Sequence, residues 1–481
     1  MNVLLVSANR EQLPSLVMPL GLLWVAEAAR EHHHHVELLD LCFEKDPLET
    51  VAGRLTERKW DVIGVGLRNL HDNAYRSQEA LISEYRKLMF TIRENSSAHV
   101  VLGGAGFSLR PRELMARLNA DYGVVGEGEK VFPWLLDQIR NKRPVQKIID
   151  RSVISSSGLP VFDEIESLTP PLRSLVDDRY YIFEGTVNIQ TKRGCPFQCA
   201  YCDYPDLEGR TTRLRGLVHL EEELADVMDD PRTACLFFVD SVFNVPEKYA
   251  LKVCGLLANA KRQVPWVAYV SPVGLSESLV SLMAESCCAG VEIGSDSGTE
   301  EGLVRLRKPF SLSQVERAHE LLRRYNIPDC HTFVLGAFGE TAREVKKTLD
   351  FVDRLDPSVA VFVVFHEDRE DQNTAHAQHR LEILALLEEE AKRHPGWVVP
   401  ELGMRLNPKL ANVLRRHHFR GPPWVHLAMR RTYVSPSQTE NFDGQLSRKK
   451  DVSANTAYAR GGNSRPHTYD RKPQGDQHDD T

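Results

Sequence analysis

The sequence contains no apolar segment long enough to cross a membrane. A spanning helix needs roughly 18 consecutive apolar residues, and no segment of this 481-residue chain approaches that length. The N-terminal segment MNVLLVSANREQLP lacks the basic start and the long apolar stretch of a signal peptide. The net charge of −7 gives no general attraction for nucleic acid or for anionic membranes. We therefore expect a cytoplasmic protein with no membrane span and no nucleic-acid partner.

Cysteine is scarce and unevenly distributed. Nine cysteines are an odd number in a long chain, which disfavours a disulfide framework. Most of them, such as Cys235 and Cys254, stand singly among apolar residues, as is typical of small buried side chains. Three others lie within eight residues, in the segment CPFQCAYC: Cys195, Cys199 and Cys202. This triplet requires a chemical explanation.

Residues 1–140 alternate short apolar segments with amphipathic helical patterns. The segments NVLLVSA, VELLDL, DVIGVGL and HVVLGGA predict strands, and DYGVVGEGE ends the series. Strands separated by helices favour a parallel sheet covered on both faces, so we predict a doubly wound, Rossmann-like domain. Two glycine-containing turns, GGAG at 103–106 and GEGE at 126–129, lie at strand ends, where they would let the backbone approach a large ligand.

The rest of the chain divides into four segments of different character. Residues 141–185 are rich in Pro and Ser and predict a linker. Residues 186–370 contain six strand–helix repeats; because eight repeats close a full barrel, six predict a partial (β/α)6 barrel of the TIM type. Residues 371–431 predict a helical C-terminal segment. Residues 432–481 contain no Ile, Met or Trp and are expected to be a disordered tail. The predicted fold class is therefore α/β.

Three thiols at C-x3-C-x2-C spacing are suited to a soft metal. Structural zinc takes four ligands, usually in two close pairs, and no second C-x2-C follows in this chain. A [4Fe–4S] cluster fits better, because three cysteines would hold three irons and leave the fourth iron open for chemistry. The triplet follows the first predicted strand of the second domain, at the mouth of the expected barrel. The metal ligands predicted from the sequence are Cys195, Cys199 and Cys202.

The segment CPFQCAYC resembles the C-x3-C-aromatic-C signature of the radical S-adenosylmethionine (SAM) enzymes. This resemblance implies that the cysteines carry a [4Fe–4S] cluster and that SAM ligates the open iron. It also implies that Tyr201 lies beside the adenine of SAM. In this family an electron from the cluster cleaves SAM to methionine and a 5′-deoxyadenosyl radical. An external electron donor of the flavodoxin or ferredoxin type is therefore implied.

Two further segments resemble SAM-binding elements of the family. HTFVLGAFGET resembles the G-x-I-x-G-x-x-G segment on the fifth strand, with Gly336 and Gly339 in place and Thr332 replacing the first glycine. VEIGSDSG resembles the fourth-strand segment. There, Glu292 or Asp296 is expected to reach the ribose or the carboxylate of SAM.

Two other segments depart from the family pattern. The Gly-Gly-Glu amine-binding segment of many relatives is absent from FFVDSVFN, where Asp240 or Asn244 would serve instead. The strongly polar FHEDREDQNTAHAQHR replaces a Pro-Gly-Thr turn that often follows the sixth strand. Such a charged segment is usually a solvated face, but this one is expected near the barrel mouth. Candidates for substrate contact or catalysis are Asp240, His366, Glu367 and Asp368.

The N-terminal half resembles the cobalamin-binding domain that precedes many radical SAM enzymes. The segments DVIGVGLRN, VVLGGAGFS and DYGVVGEGEKVF carry this resemblance. The cobalamin contacts that it implies are Arg68, Asn69, Gly103, Gly104, Gly126 and Glu127. The D-x-H-x-x-G element that supplies a lower axial histidine in other cobalamin proteins is absent, and His71 lacks its spacing. Cobalamin is therefore expected to bind without a protein histidine on cobalt.

These resemblances together predict a cobalamin-dependent radical SAM enzyme. The favoured activity is methyl transfer to an unactivated carbon of a small molecule, a lipid or a peptide. Radical cyclisation or rearrangement needs the same parts and remains open, as does a non-catalytic cobalamin or cluster sensor. A tRNA methylthiotransferase is disfavoured because only Cys42 precedes the triplet, whereas such enzymes use further N-terminal cysteines for a second cluster. The substrate itself cannot be read from the sequence.

Overall fold

A computed structural model describes residues 1–13, 15–70, 78–156, 165–365 and 374–433. Some predictions concern residues outside these ranges, namely those for His71, His366, Glu367, Asp368 and nearly all of the tail 432–481. Among the residues described, no helix is both long enough and apolar enough to pass through a membrane.

The first sheet confirms the doubly wound prediction. Its six strands are all parallel and lie in the order β2-β1-β3-β4-β5-β6. The strands are β1 (Asn2–Ser7), β2 (His35–Asp40), β3 (Val62–Gly66), β4 (His99–Gly103), β5 (Tyr122–Val124) and β6 (Ile148–Ile149). The helices of this part are α1 (Leu20–Glu31), α2 (Pro47–Glu57), α3 (Gln78–Asn95), α4 (Ala105–Leu109), α5 (Pro111–Leu118), α6 (Val131–Arg140) and α7 (Arg151–Ser156). Strand β6 belongs to the segment that the sequence suggested was a linker.

The second sheet contains the six predicted barrel strands in chain order. It is parallel throughout, in the order β7-β10-β11-β12-β13-β14-β15, and the short β15 adds a seventh strand that was not predicted. The strands are β7 (Thr186–Ile189), β10 (Cys235–Phe238), β11 (Trp266–Val270), β12 (Cys288–Asp296), β13 (Asp329–Leu335), β14 (Val359–Val364) and β15 (Trp397–Val398). A two-stranded antiparallel ribbon precedes and follows the cysteine triplet: β8 (Lys192–Arg193) and β9 (Arg213–Leu214).

The helices of this part are α8 (Asp178–Phe183), α9 (Tyr204–Glu208), α10 (Leu217–Asp229), α11 (Glu247–Ala258), α12 (Glu277–Glu285), α13 (Glu300–Arg305), α14 (Leu312–Arg324), α15 (Ala342–Leu355), α16 (Thr374–Ala391), α17 (Pro408–Arg416) and α18 (Pro423–Tyr433). Helices α10, α11, α12, α14, α15 and α16 cover the outer face of this sheet. Successive side chains of a strand point to opposite faces. In β13, Phe333 and Leu335 pack in one core with Val345 and Leu349 of α15. Cys330, at an alternate position near the start of the same strand, lies in a different core, on the inner face.

The C-terminal helix α18 closes the amino-terminal end of the barrel from inside. Its Trp424 packs in one cluster with Val267, Cys330 and Val359, which stand near the starts of three strands. Gly290 of β12 permits this approach, since a Cβ atom there would lie 2.5 Å from the Trp424 ring. The barrel space is therefore open at the carboxyl ends of the strands, where the cysteine triplet lies.

Candidate active site

The cysteine triplet lies on a loop that is held by backbone hydrogen bonds to two other segments of the chain. The Cys195 N–H donates to the carbonyl of Gly209 at 3.1 Å, and the Ala200 N–H donates to the carbonyl of Leu306 at 2.9 Å. Gly194 begins the loop with a φ of +87°, and a Cβ atom there would lie 2.2 Å from the Thr211 carbonyl oxygen. Only glycine satisfies both conditions. Backbone contacts thus hold the loop at the carboxyl end of β7.

The three thiols are chemically suited to an iron–sulfur cluster. All three are free; Cys195 is buried, and Cys199 and Cys202 are half-buried. Burial, together with the nearby Cys199 and Cys195, raises the pKa of Cys202 to about 11. Thiols that raise one another's pKa lie close together, and a bound metal removes this penalty by deprotonating them. A separate group of side chains that could hold a metal ion, His319, Asp329 and His331, lies away from the triplet.

A buried ionic network lies beside the triplet. The Tyr201 hydroxyl donates to Asp296 Oδ2, and Lys308 Nζ lies 2.6 Å from the same oxygen. Burial lowers the pKa of Lys308, but Asp296 and Cys199 raise it more, so the ammonium group stays charged. Its charge lowers the pKa of Cys195 and of Cys202. Asp296 and Tyr201, which were both predicted to contact SAM, are thus brought together at the mouth.

Sequence reasoning missed Lys308. The signal was a short basic segment, RLRK, in which nothing distinguishes the residue that turns inward. Arg305 instead pairs with Glu344 on the outside, with both side chains partly exposed. The left-handed conformation of Arg307, at φ +53°, turns the chain so that Lys308 faces the cysteines.

Asp240 and Asn244 have positions that favour a supporting role over contact with SAM. Asp240 is fully buried and accepts hydrogen bonds from the Thr191 N–H at 2.7 Å and the Thr191 hydroxyl at 2.6 Å. Asn244 is also fully buried, and its amide group donates to the carbonyls of Ser271 and Val273. Their polar atoms therefore hold the loops around β7 and β11 in place.

The two glycines of the fifth-strand segment differ in their surroundings. Both have positive φ, +78° at Gly336 and +81° at Gly339. A Cβ atom at Gly336 would lie 2.8 Å from the side chain of Ile383, whereas one at Gly339 would meet nothing within 4 Å. The Gly336 N–H donates to Glu340 at 2.6 Å, and burial raises the pKa of Glu340 to about 7. Gly339 therefore faces the space that a ligand of this segment would use.

Glu340 is expected to make stability depend on pH. Its ordinary pKa of 4.5 rises to about 7 on folding, so the folded state binds the proton more tightly. The free energy of unfolding should therefore fall by about 3 kcal/mol as the pH rises through this interval. Glu340→Gln cannot titrate, and its amide oxygen can still accept the Gly336 N–H. Denaturant unfolding at pH 5 and pH 8 should show a smaller decrease in the free energy of unfolding for Glu340→Gln than for the wild type. An equal decrease would show that Glu340 is not the group responsible.

Glu292 and Asp296 were both predicted to reach the ribose or the carboxylate of SAM, but the structure places them in different parts of the barrel. They lie four residues apart in β12, roughly 13 Å at the strand rise. Glu292 is therefore deep in the barrel, paired in register with Tyr269 of β11. The pKa of Tyr269 is raised, first by the Glu292 carboxylate and then by burial. Tyr269 is a further polar group of the site that the sequence did not indicate.

The turn at 126–129 joins the two domains. Glu127, which was predicted to contact cobalamin, pairs with Arg213 and lies 3.3 Å from Arg193. Glu129 lies 2.5 Å from Arg193, and all of these side chains are largely buried. Burial lowers the pKa of Arg193, but Glu129 and Glu127 raise it overall. Arg193 stands two residues before Cys195, so this ion-pair cluster connects the first domain to the cysteine loop.

Removing the Arg193 charge is expected to destabilise the protein strongly. Arg193→Met leaves the buried Glu129 without its partner and Glu127 with Arg213 alone, which costs about 3–5 kcal/mol. Arg140→Met is the matched control, because its ion pair with Asp137 is exposed and contributes less than about 1 kcal/mol. Urea unfolding of both variants measures the difference. Equal midpoints would show that the cluster does not hold the domains together.

The glycines predicted to contact cobalamin also differ. A Cβ atom at Gly104 would lie 2.6 Å from the Leu67 carbonyl oxygen, so glycine is needed here for two segments of the chain to approach closely. Gly126 has φ +83° and nothing within 4 Å of an added Cβ atom, so it borders open space. A Cβ atom at Gly103 would likewise meet only the Val124 carbonyl, at 3.9 Å. Asn69 uses its carbonyl to accept the hydroxyl of Tyr85.

The ligand-binding ends of the two domains face each other. Helix α4, which begins at the GGAG turn, packs against α9, which begins two residues after Cys202. Arg68 follows β3 and is close enough to lower the pKa of both Tyr204 and Tyr269. Arg68, predicted as a cobalamin contact, therefore also faces the barrel interior.

Two family models match the two halves of this arrangement. Residues 6–136 match the B12 binding domain, and residues 189–352 match the radical SAM superfamily. The chain is a radical SAM enzyme with a B12-binding domain. Its cofactors are accordingly a [4Fe–4S] cluster, SAM and cobalamin, and the three free thiols and the open turns described above fit them.

Known proteins are similar to this radical SAM enzyme over most of its length. An uncharacterised methyltransferase of Pyrococcus horikoshii is 24% identical, over 72% of this chain and 75% of the relative. The tryptophan 2-C-methyltransferase of Streptomyces laurentii is 24% identical, over 75% and 71% of the two chains. The solved structure of the radical SAM methyltransferase TsrM from Kitasatospora setae, with tryptophan substrate and a SAM analogue bound, superposes with a TM-score of 0.67. It is 26% identical and covers 75% of this chain and 72% of that one.

Proposed function

We propose that this enzyme transfers a methyl group to a carbon of a small organic substrate. The observation that carries the proposal is the contact between α4 of the B12-binding domain and α9, directly after the cysteine triplet. A substrate in the barrel mouth would lie between the ligand-binding ends of both domains. When bound, the cluster and SAM supply one-electron chemistry and methyl groups, and cobalamin carries methyl groups. Relatives that are similar over most of this chain are named methyltransferases.

The residues of the chain would position these groups and exclude water. Cys195, Cys199 and Cys202 would hold the cluster, and Lys308 would offset the negative charge of its thiolates. Gly339 and Gly126 leave space for SAM and for the corrin ring, respectively. Helix α18 closes the far end of the barrel, so that reactive species are kept from water on that side.

The enzyme would need a source of electrons in a reducing compartment. We propose the cytoplasm and a donor of the flavodoxin or ferredoxin type. All nine cysteines lie in the described residues and are free, as is usual for proteins of a reducing compartment.

Labelled SAM tests the proposal. The anaerobically reconstituted protein would be incubated with a deproteinised metabolite extract, a chemical reductant and SAM labelled in its methyl group, and the products analysed by mass spectrometry. A metabolite that gains the labelled methyl group supports methyl transfer. Consumption of SAM with a product that carries no label would favour cyclisation or rearrangement. Cofactor binding without any SAM consumption would favour a sensor.

A further inference from the structure

Within the described residues, the inner face of the barrel sheet carries polar groups that border open space and have few hydrogen-bond partners. Tyr269 stands on the central strand β11 between Ala268 and Val270, which are both buried, yet 38% of its own surface is exposed. Its ring therefore borders open space inside the barrel. Directly across the strand pair, Glu292 points to the same side. Burial raises the pKa of Glu292 to about 7.

Trp424 of α18 forms the floor beneath these two residues. It is only 5% exposed, and its ring crosses β12 over Gly290. Its indole N–H faces Glu292 and lowers the pKa of that carboxyl group. Within the described chain, however, this N–H makes no close hydrogen bond. A buried donor without a partner opposes folding, and such groups in native proteins generally bind water or a ligand.

Aromatic rings form the walls of the same space. The Phe237 ring lies 5.2 Å from the Tyr269 ring, centroid to centroid. Tyr204, next to the cluster loop, is close enough to raise the pKa of Tyr269, and Arg68 is close enough to lower it. The space thus has an acceptor and a donor at its floor, flat apolar walls, and a cation on the side of the B12-binding domain.

We propose that Glu292 and Trp424 bind the buried end of the substrate, and that this end carries an N–H group on a flat, largely apolar skeleton. Glu292 would accept the N–H, and the Trp424 indole would donate to an acceptor beside it. The rings of Tyr269 and Phe237 would pack against the skeleton. A hydrocarbon lipid fits poorly, because it would leave both polar groups of the floor unsatisfied. This inference rests on the proposed function and names the substrate class of the same site.

A purely structural role for Glu292 does not explain its surroundings. A carboxyl group buried for stability normally has a basic partner or several hydrogen-bond donors. In the described chain, the indole of Trp424 is the single donor that acts on Glu292, and no basic side chain accompanies it. Since burial without full compensation opposes folding, Glu292→Gln is expected to leave stability unchanged or raised, while ligand recognition is lost.

Two ring compounds of equal shape test the proposal on the reconstituted holoenzyme. Indole carries an N–H group, and benzofuran has an oxygen in its place. Hydrogen bonds to charged groups contribute about 1.5–3 kcal/mol, so wild-type enzyme should bind indole about 10- to 100-fold more tightly than benzofuran, as measured by ligand-observed NMR titration. In Glu292→Gln, whose amide oxygen can still accept the N–H but carries no charge, the preference should fall to about fivefold or less. Glu285→Gln, a substitution on the surface of α12, should keep the wild-type preference.

The outcomes separate this inference from the proposed function. Equal binding of indole and benzofuran to the wild type, or an undiminished preference in Glu292→Gln, would overturn the substrate class. Trp424→Phe, which keeps a ring in the floor but removes the N–H, should weaken indole-3-carboxaldehyde about tenfold, because the aldehyde oxygen loses its donor; no change would overturn the role of Trp424. If Trp424→Phe does not fold, the comparison of indole with benzofuran in the wild type and in Glu292→Gln still tests the substrate class. Methyl transfer without any N–H preference would contradict this inference alone, and an N–H preference without methyl transfer would contradict the proposed function alone.

Discussion

Cys199→Ala is expected to leave the protein almost without iron after anaerobic reconstitution, against about four irons per chain in the wild type. The reason is geometric, because three thiols on one loop must bind three irons and the described residues offer no further cysteine beside them. Two thiols cannot hold a cubane. Iron analysis and the visible absorption of the cluster measure the result, and SAM cleavage should disappear with the cluster.

Cys287→Ala is the matched control for this experiment. Cys287 is also a free, half-buried cysteine, but it precedes β12 and lies outside the triplet. Its replacement should leave iron content and absorption unchanged. Full iron content in Cys199→Ala would mean that another set of ligands holds the cluster.

Gly126→Phe is expected to abolish cobalamin binding while the domain remains folded. The positive φ of +83° costs a non-glycine residue about 1–2 kcal/mol, which a domain of this size can tolerate. The added ring would occupy the open space next to the turn, where the corrin is expected at the strand ends. Gel filtration after reconstitution with hydroxocobalamin, followed by the absorption spectrum of the protein peak, measures retention.

Two neighbouring substitutions distinguish blocked binding from damaged folding. Gly126→Asn adopts positive φ with little strain and adds few atoms, so it should retain most of the cobalamin. Gly104→Ala should instead lower the melting temperature of the protein, because its Cβ atom would collide with the Leu67 backbone. Normal cobalamin retention by Gly126→Phe would show that the corrin does not approach the turn at 126–129.

The buried ion pairs between the domains fix the relative position of the two domains more than they stabilise the fold. Desolvation offsets much of the attraction between buried charges, so the pairs of Arg193 with Glu127 and Glu129 contribute little compared with apolar packing. They do penalise any displacement of the cysteine loop relative to the B12-binding domain, since a displaced partner leaves a buried charge alone. A reaction that uses cofactors from two domains depends on such a fixed relation.

Features that depend on neighbours along the chain could be predicted from the sequence. The alternation of apolar strands and amphipathic helices determined both parallel sheets, because side-chain periodicity records which face of each element is buried. The eight residues CPFQCAYC by themselves identified the cluster loop, because three of its metal ligands are adjacent in the chain. Strands β6 and β15 were missed because two residues are too few to carry a periodicity.

Contacts between distant residues were decided only by the tertiary structure. Glu127 lies in a turn that resembles a cobalamin contact, yet it pairs with Arg213, 86 residues later in the chain. Gly104 and Gly126 look alike in sequence, but only one of them borders open space. Glu292 meets Trp424 because α18 returns to the barrel from the far end of the described chain. Local sequence patterns indicate which way a side chain faces. The identity of its partner depends on how separate elements pack. That packing is determined by the burial and charge compensation of the whole fold together.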